Sequence, residues 1–429
     1  MWYGRLVGDS VKIASITPPT EEEIMNEQRP YTILALASDC KGFPYLLEAK
    51  RQGCRVLLLV KEEWANDARW PWAAIDERFI MPEISKQPDV TYAVSYLART
   101  EKIDRIVALD DYDVATAAHL REHLRIPGMG ETTARHFRDK LAMRVQARDE
   151  GMLVPDFTAV FNNDEINDFL NRVPPPWVLK PRFDAGAVGI RKLYDAPALW
   201  NALNELDDQR SFYLLEQFIA GDVCHVDSLI WEREVVFAVA SQYGTPPLAV
   251  TREGGIFNTR TLPMDSAKSL ALSELNAHLM VALRQVRGVA HTEFIHGQED
   301  GRFYFLETAA RVGGANIDRL VKAATGLELW QEAARIDLAN LSGKPYYPPT
   351  VRGHHAGLII CLARQQHPDL TPYNDPEIVW RLEKEHHAGL LVASADHGRV
   401  AHLLADYTER FAHDFLASAP PKAQVRTTI

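Results

Sequence analysis

Residues 291–311, HTEFIHGQEDGRFYFLETAAR, restrict the possible folds of this chain more than any other stretch. Two runs rich in aromatic and β-branched residues, HTEFI and FYFLE, flank a short loop of Gly, Asp and Glu, the pattern of a β-hairpin. A three-residue loop, Glu299-Asp300-Gly301, with the glycine in the left-handed conformation, is a common way to close one. That loop makes Gln298 face Arg302 and, counting back along both strands, Glu293 face Glu307. Two carboxylates directly opposed on one face of a sheet repel each other. A cation between them removes that cost. Mg²⁺ suits the place, because it takes one or two carboxylates and fills its shell with water and phosphate oxygens. Arg311 follows, beside Gly313-Gly314, and adds an anion clamp with accessible backbone. A surface hairpin with two solvated glutamates fits the same residues, and a β-bulge would shift the register by one.

The 429 residues, 46% hydrophobic and 24% charged, suffice for several domains with real cores. A formal net charge of -11 argues against nucleic acid or an anionic membrane as the main partner. Cys40, Cys54, Cys224 and Cys361 are scattered with no CxxC pair, which suits a reducing, cytoplasmic setting and offers neither a zinc site nor a disulfide framework. No signal-peptide core precedes residue 30, and no apolar run reaches the roughly 18 residues of a membrane span. Residues 1–30 read as a polar lead-in.

Further along, 31–38 and 55–60 read as buried strands around a helix at 43–52, and 104–109 is a third strand before a helix at 113–124. Strand, helix, strand in this order predicts a doubly wound parallel sheet over 31–130. The first strand–helix turn, SDCKGFP, lacks GxGxxG and so gives a dinucleotide no cradle. Asp110, Asp111 and Asp113 follow a strand's carboxyl end, where such sheets bind ligands, although a helix N-cap explains Asp113 as well. A helix is expected over 132–151. A small α+β module spans 131–215, with strands at 177–180, 190–194 and 212–218 and helices at 163–172 and 197–206. Antiparallel patterns dominate 216–345: strands 223–230 and 234–242 turning at Trp231-Glu232-Arg233, and helices 266–286, 317–325 and 329–341. Residues 346–429 read as an α+β segment with strands at 356–362 and 389–393 and a helix over 400–417. The fold class is thus α/β and α+β multidomain.

Three further stretches carry chemistry. In WVLKPRFDAGAVGIRKL, Lys180 ends a strand and a loop with Gly186 and Gly189 returns to another. Small residues let backbone N–H groups approach an anion, and the lysine adds charge; an ordinary turn is the plain alternative. In YLLEQFIAGD, Glu216, Gln217, Phe218 and Ile219 form an extended segment that can present backbone groups and a carboxylate to a purine edge, or simply join two domains. Lys140, in RDKLAMR, is of interest for its position just ahead of the small module; a helical lysine is otherwise a solvated charge. His225 either points into a nucleotide cleft formed by these pieces or makes a structural hydrogen bond.

Taken in order, these pieces resemble an ATP-grasp enzyme: Asp139-Lys140, Lys180 with its glycine loop, Glu216-Gln217-Phe218-Ile219, Gly221 and Asp227 in GDVCHVD, then Glu293, Glu307 and Arg311 with Gly313-Gly314. The segment ETAARVGGANIDRLVKAATGLEL is most similar to the L-amino-acid-ligase-like branch, in which E-x-x-x-R-x-G-G precedes a helix. The resemblance covers residues 130–345 best, the first sheet weakly and the last segment poorly. It implies an N-terminal parallel-sheet domain ahead of the ATP-grasp fold. It also implies that Lys140 and Lys180 hold ATP phosphates under a lid containing Gly186 and Gly189. Glu216 would meet the adenine amino group, with Gln217, Phe218 and Ile219 beside it. Glu293 and Glu307 would hold Mg²⁺, with Mn²⁺ as an alternative ion, and Arg311 would steady the reacting carboxylate. Val223 stands where many relatives have an acidic ribose contact, leaving Asp222 as the substitute, and Ala309 stands where many have an asparagine near the metal.

The implied reaction is ATP-dependent joining of a small-molecule carboxylate to an amine, an amino acid among them, through an acyl phosphate. A carboxylase that activates bicarbonate and a non-catalytic nucleotide-binding regulator are the alternatives. A homodimer is compatible with the sequence, which leaves oligomeric state open.

Overall fold

The computed structural model of the protein describes residues 29–184, 186, 188–248, 250 and 255–417. The expected polar lead-in therefore lies almost wholly outside the described residues.

The first unit is built from β1 (Thr32–Ala37), α1 (Phe43–Arg51), β2 (Arg55–Lys61), β3 (Glu77–Met81), α2 (Asp89–Leu97), β4 (Arg105–Ala108) and α3 (Val114–Leu124). Its four strands are all parallel, in the order β3-β2-β1-β4. A parallel sheet is covered on both faces, so its central strands are apolar throughout. Accordingly Ile33, Ala35 and Ala37 of β1 enter one core with Val56, Leu58 and Val60, while Leu34 and Leu36 enter another with Leu57 and Leu59. The edge strand β3, ERFIM, is mostly exposed and offers only the short run Phe79-Ile80-Met81, too little to mark it in the sequence.

The helix expected over 132–151 is two helices, α4 (Glu131–Arg135) and α5 (Lys140–Asp149). Asp139 breaks it. Its backbone is extended (φ -99°, ψ 105°), and its side chain caps α5 by accepting from the Leu141 N–H at 3.1 Å. The same carboxylate binds the Arg182 guanidinium, and the Lys140 N–H donates to the Arg182 carbonyl at 3.0 Å. A second, antiparallel sheet follows, from β5 (Phe157–Ala159), α6 (Asn163–Arg172), β6 (Trp177–Pro181), β7 (Arg191–Leu193), α7 (Ala196–Leu206) and β8 (Tyr213–Gln217), in the order β5-β8-β6-β7.

The largest sheet comprises β9 (Gly221–Trp231), β10 (Glu234–Tyr243), β11 (Phe257–Thr261), β12 (Gly288–Gly297), β13 (Phe303–Ala309), β14 (His355–Leu362), β15 (Ile378–Arg381) and β16 (His387–Ser394). These eight strands are antiparallel, in the order β13-β12-β9-β10-β11-β14-β16-β15. β9 and β10 turn at Glu232-Arg233, both with positive φ (51° and 71°), as a tight two-residue hairpin demands. Around the sheet lie α8 (Ala267–Ala282), α9 (Ile317–Thr325), α10 (Leu329–Leu341) and α11 (His397–Asp414). Gly326, with φ 80°, ends α9 in the left-handed cap its sequence predicts.

α10 fastens the parallel sheet to the large one. Leu46 and Ala49 of α1 share one apolar core with Leu329, Ala334 and Ile336 of α10. At its margin the Tyr45 hydroxyl donates to Asp337 at 2.8 Å, and Arg335 donates to Glu48 at 2.8 Å. Beyond the carboxyl end of β4, Asp111 lies 3.5 Å from Arg311, just past β13.

Candidate active site

Glu293 and Glu307 pair across β12 and β13 as expected, but by a different path. At the turn the Gly297 N–H donates to the Arg302 carbonyl at 2.8 Å and the Gly301 N–H to the Gly297 carbonyl at 2.9 Å. Gly297, not Gln298, therefore faces Arg302. Gly301 does take the left-handed conformation (φ 67°). From this turn the strands run one residue out of the expected step, with His296 opposite Phe303 and Phe294 opposite Phe305. A bulge at Leu306 then brings Glu293 and Glu307 face to face. The Tyr243 hydroxyl donates to Glu293 Oε1 at 2.7 Å, and Lys140 Nζ lies 3.1 Å from Glu307 Oε2. Burial would raise the Glu293 carboxyl, but His291 and the Tyr243 hydroxyl outweigh it and hold the group below its ordinary range.

Behind Glu293 lies a closed hydrogen-bonded chain. His225 Nδ1 is 2.8 Å from Asp227 Oδ2, His291 Nδ1 is 2.9 Å from Asp227 Oδ1, and His225 Nε2 is 2.8 Å from the Thr259 hydroxyl. His291 Nε2 reaches within 3.7 Å of Glu293. Burial works against a charged His291, yet Asp227 overrides it and lifts the imidazole to about 9, while the two histidines hold Asp227 well below the usual carboxylate range. Among the described residues, His225, Asp227 and His291 are the one cluster with metal-ligand composition, their donor atoms within 4.8 Å of one another. Those atoms already bond each other, so the cluster acts as a buttress for Glu293 rather than an ion cage. His225 thus makes the structural bond, the second of the readings open to it.

The second half of the site is a buried triad. Lys180 Nζ lies 2.5 Å from Glu216 Oε1, and Arg144 Nη2 lies 3.1 Å from Glu216 Oε2. The Arg144 guanidinium also lies over the Phe305 ring, 5.5 Å from its centre, and none of the side chain is exposed. Burial depresses Lys180 to about 8 against the pull of Glu216, and Glu216 stays low because its two cations overcome its own burial. Two cations share one carboxylate, so the triad carries an uncompensated positive charge. Lys140 donates to the Asp184 carbonyl and so sits beside the glycine loop as well as beside Glu307. Gly186 and Gly189 have positive φ, 69° and 70°, as a tight loop requires. Ala185 and Ala187 of that loop lie outside the described residues.

The other expected residues are placed less simply. The Phe218 N–H donates to the Pro176 carbonyl at 3.1 Å and the Gln217 N–H to the Asp156 carbonyl at 2.7 Å, so both amides already have partners. Lys192 Nζ sits 3.4 Å from the centre of the Phe218 ring, and Ile219 packs with Val223, Tyr243 and Ile295. Asp222 is exposed, taking a hydrogen bond from Gln242 at 3.1 Å with Lys268 3.8 Å away. Arg311 donates to its neighbour's carbonyl, Val312 O, at 2.9 Å, and its Nε lies 3.5 Å from Asp111. Asp111, at the carboxyl end of β4, also binds Arg138 and is held low in spite of burial. The first sheet thereby delivers a carboxylate to the arginine of the third.

Sequence reasoning singles out Lys140 and passes over Arg144, four residues later on the same helical face. That spacing is the available signal. Tyr243 and His291 also go unassigned, and only the observed strand register reveals them.

No protein-family profile matches the chain. It is 26% identical over 277 residues to the L-arginine-specific L-amino acid ligase of Bacillus subtilis, covering 62% of this chain and 65% of that one. It is 20% identical over 269 residues to the alanine–anticapsin ligase of Bacillus subtilis strain 168, covering 57% and 56%. The matched stretch spans less than two thirds of either relative. Among solved structures, an L-amino acid ligase from Bacillus licheniformis superposes with a TM-score of 0.70 at 19% identity, over 91% of this chain and 100% of that one. N5-carboxyaminoimidazole ribonucleotide synthetase from Thermus thermophilus gives 0.66 at 18% identity, over 91% and 100%. The biotin carboxylase domain of Hydrogenobacter thermophilus 2-oxoglutarate carboxylase, solved with MgADP, gives 0.63 at 15%, over 87% and 88%. The chain has the ATP-grasp fold.

Proposed function

We propose that this ATP-grasp protein is an ATP-dependent carboxylate–amine ligase that uses an amino acid as one of its substrates. The observation that carries the reading is the pairing of Glu293 with Glu307 across adjacent strands, with Lys140 on Glu307 and a net-positive Lys180–Glu216–Arg144 triad nearby. Opposed carboxylates suit Mg²⁺, and buried surplus positive charge suits a triphosphate. Bound there, Mg²⁺ would neutralise charge on the transferring phosphate. The rest is positioning, which is most of phosphoryl-transfer catalysis. Lys140 and Lys180 hold the phosphates, and Arg311, steadied by Asp111, aims the substrate carboxylate. A carboxylate oxygen attacks the γ-phosphorus and ADP leaves, giving an acyl phosphate. The amine nitrogen then attacks the acyl carbon, loses a proton and expels phosphate. N–H groups at Gly313-Gly314 and Arg311 stabilise the oxyanion of that second step. Glu216 would meet the adenine edge by loosening one of its two ion pairs.

A cytoplasmic location and a homodimer belong to the same proposal. No helix among the described residues is long and apolar enough to cross a membrane. The test is phosphate release by the full chain with Mg·ATP and a library of amino-acid pairs. Release that depends on a particular pair supports a ligase. Release dependent on bicarbonate supports the carboxylase alternative. Glu307→Ala should abolish turnover without unfolding the chain, and full activity in that variant would refute the role given to Glu307.

A further inference from the structure

A cavity of about 290 Å³ lies in the seam between the parallel-sheet unit and the module that carries Glu293 and Glu307. One wall is the edge strand β4 with α3, and the other is the start of β12 with α10. None of Glu293, Glu307, Lys140, Lys180 or Glu216 lines it. Its lining is strongly cationic: Arg105, Arg121, Arg284, Arg287 and Arg311 stand in the walls against one carboxylate, Asp337.

Ion pairs account for three of the five arginines. Arg105 lies 3.3 Å from Asp337, Arg287 lies 2.6 Å from Glu232, and Arg311 lies 3.5 Å from Asp111. Arg121 and Arg284 have no carboxylate within ion-pair distance among the described residues. Arg284 is exposed at the rim, whereas Arg121 reaches inward, its Nε donating to the Ala117 carbonyl at 3.0 Å and its terminal nitrogens left over. Burial lowers the Arg121 guanidinium to about 10 against the pull of Asp337, which lies beyond ion-pair distance and already pairs with Arg105. Gln285 is the independent sign. It is 1% exposed and lines the cavity, and its Nε2 donates to Val289 O at 3.3 Å while its Oε1 has no donor. Buried amide oxygens are normally satisfied. The walls thus present unpaired cationic donors and one unpaired acceptor together.

The complement of such walls is a small anion that also carries an N–H or O–H group. Size agrees: about 290 Å³ is close to the lower end of ordinary small-ligand pockets, roughly 300 Å³. We propose that this seam cavity is a binding site, distinct from the triphosphate cleft, for a small carboxylate or phosphate bearing a hydrogen-bond donor, held by Arg121 and Gln285. Because Arg311 forms part of its wall, an occupant adjoins the residue that aims the substrate carboxylate from the other side.

The experiment is calorimetric titration of the full chain, saturated with Mg·ADP to fill the nucleotide cleft, using inorganic phosphate in one arm and L-lactate in the other. The stronger of the two identifies the anion chemistry. Arg121→Gln should weaken binding about tenfold or more, Arg121→Lys should recover most of it, and Gln285→Leu should weaken it as well. Replacing Mg·ADP by the Mg²⁺ complex of a non-hydrolysable ATP analogue, which fills the γ-phosphate position as well, should leave binding unchanged, since the site does not use the phosphate cleft. Equal binding by the wild type, Arg121→Gln and Gln285→Leu would overturn the proposal. So would binding lost when the analogue replaces Mg·ADP, which would put the anion in the phosphate cleft, or no binding of either probe up to about 10 mM. The readout needs no turnover, so it stands or falls separately from the ligase reading.

Discussion

Replacing Glu216 by glutamine should cost the fold more than removing the arginine that binds it. The three side chains of the triad are 0% (Arg144), 3% (Lys180) and 4% (Glu216) exposed, so solvent screens none of them. Glu216→Gln leaves two cations side by side with no counter-charge. Breaking a buried ion pair by removing one partner costs about 3–5 kcal/mol. Arg144→Met has a milder account. It removes two N–H donors at 3.1 Å and a guanidinium over Phe305, but it leaves Lys180 and Glu216 as a neutral pair. The lost bonds are worth about 1–3 kcal/mol, and part of that returns because a guanidinium no longer has to be desolvated. The expected order is therefore Glu216→Gln worse than Arg144→Met by about 2 kcal/mol. The double variant should cost less than the sum, because a lone Lys180, already depressed to about 8 by burial, can shed its proton. Urea unfolding of the four proteins, with midpoint and slope compared, reads all of this. If Arg144→Met proves the costlier change, or the two add within about 0.5 kcal/mol, the shared-carboxylate account is wrong.

Two further outcomes follow from the structure. A methyl group on Gly313 would come within 2.9 Å of both Asp227 Oδ1 and His291 Nδ1, whereas one on Gly353 would meet nothing within 4 Å. Gly313→Ala should thus cost about 1–3 kcal/mol and most of the phosphate-release rate, with Gly353→Ala silent in both assays; equal behaviour of the two would remove the buttress role of the histidine–aspartate chain. Burial lifts the Asp113 carboxyl from 3.8 to about 7 against its hydrogen bonds from Ser38. The folded protein then holds a proton that the unfolded chain has released over that interval, so this group's contribution is full below about pH 4 and declines as pH rises to about 7, by at most about 4 kcal/mol. Asp113→Asn should flatten that decline, and a stability difference from wild type that is the same at about pH 5 and about pH 8 would contradict it.

What is legible in the sequence divides along physical lines. Strands of the parallel sheet announce themselves because two-sided burial leaves an unbroken apolar run, as in TILALA and RVLLLV. The edge strands β3 and β15 have one or both faces in water and leave no such mark, and neither does β11, whose FNTRT is mostly polar. Asp139 reads as part of a helix because its neighbours on both sides have helical patterns. The partner that pulls it out, Arg182, is 43 residues away. Arg144 goes unassigned for the related reason that an arginine in a polar helix reads as solvated. Only its partner on β8 makes it interior.

The hairpin shows why the site is nonetheless readable. The expected turn is wrong by one residue, and since side chains alternate along a strand, such a slip ordinarily sends every residue to the opposite face. The two glutamates come together because a bulge at Leu306 absorbs that one residue. Without it, Glu293 would lie opposite Leu306 and Glu307 would face away, toward the side where Arg144 lies over Phe305. A bulge costs a sheet part of its hydrogen bonding, and one that places two carboxylates in direct opposition adds repulsion to that cost. An arrangement unfavourable on both counts stands only where something offsets it. In this chain Lys140 meets Glu307, and the Tyr243 hydroxyl and His291 meet Glu293; a cation between the two carboxylates, as proposed above, would offset their repulsion directly. Deleting Leu306 should therefore straighten the strand, set Glu307 directly after Phe305 and still opposite Glu293, and leave Mn²⁺ binding, followed by proton relaxation in the presence of ADP, near the wild-type level, whereas Glu307→Ala should lose it. Undiminished Mn²⁺ binding in Glu307→Ala would mean that the ion, if held at all, is held elsewhere.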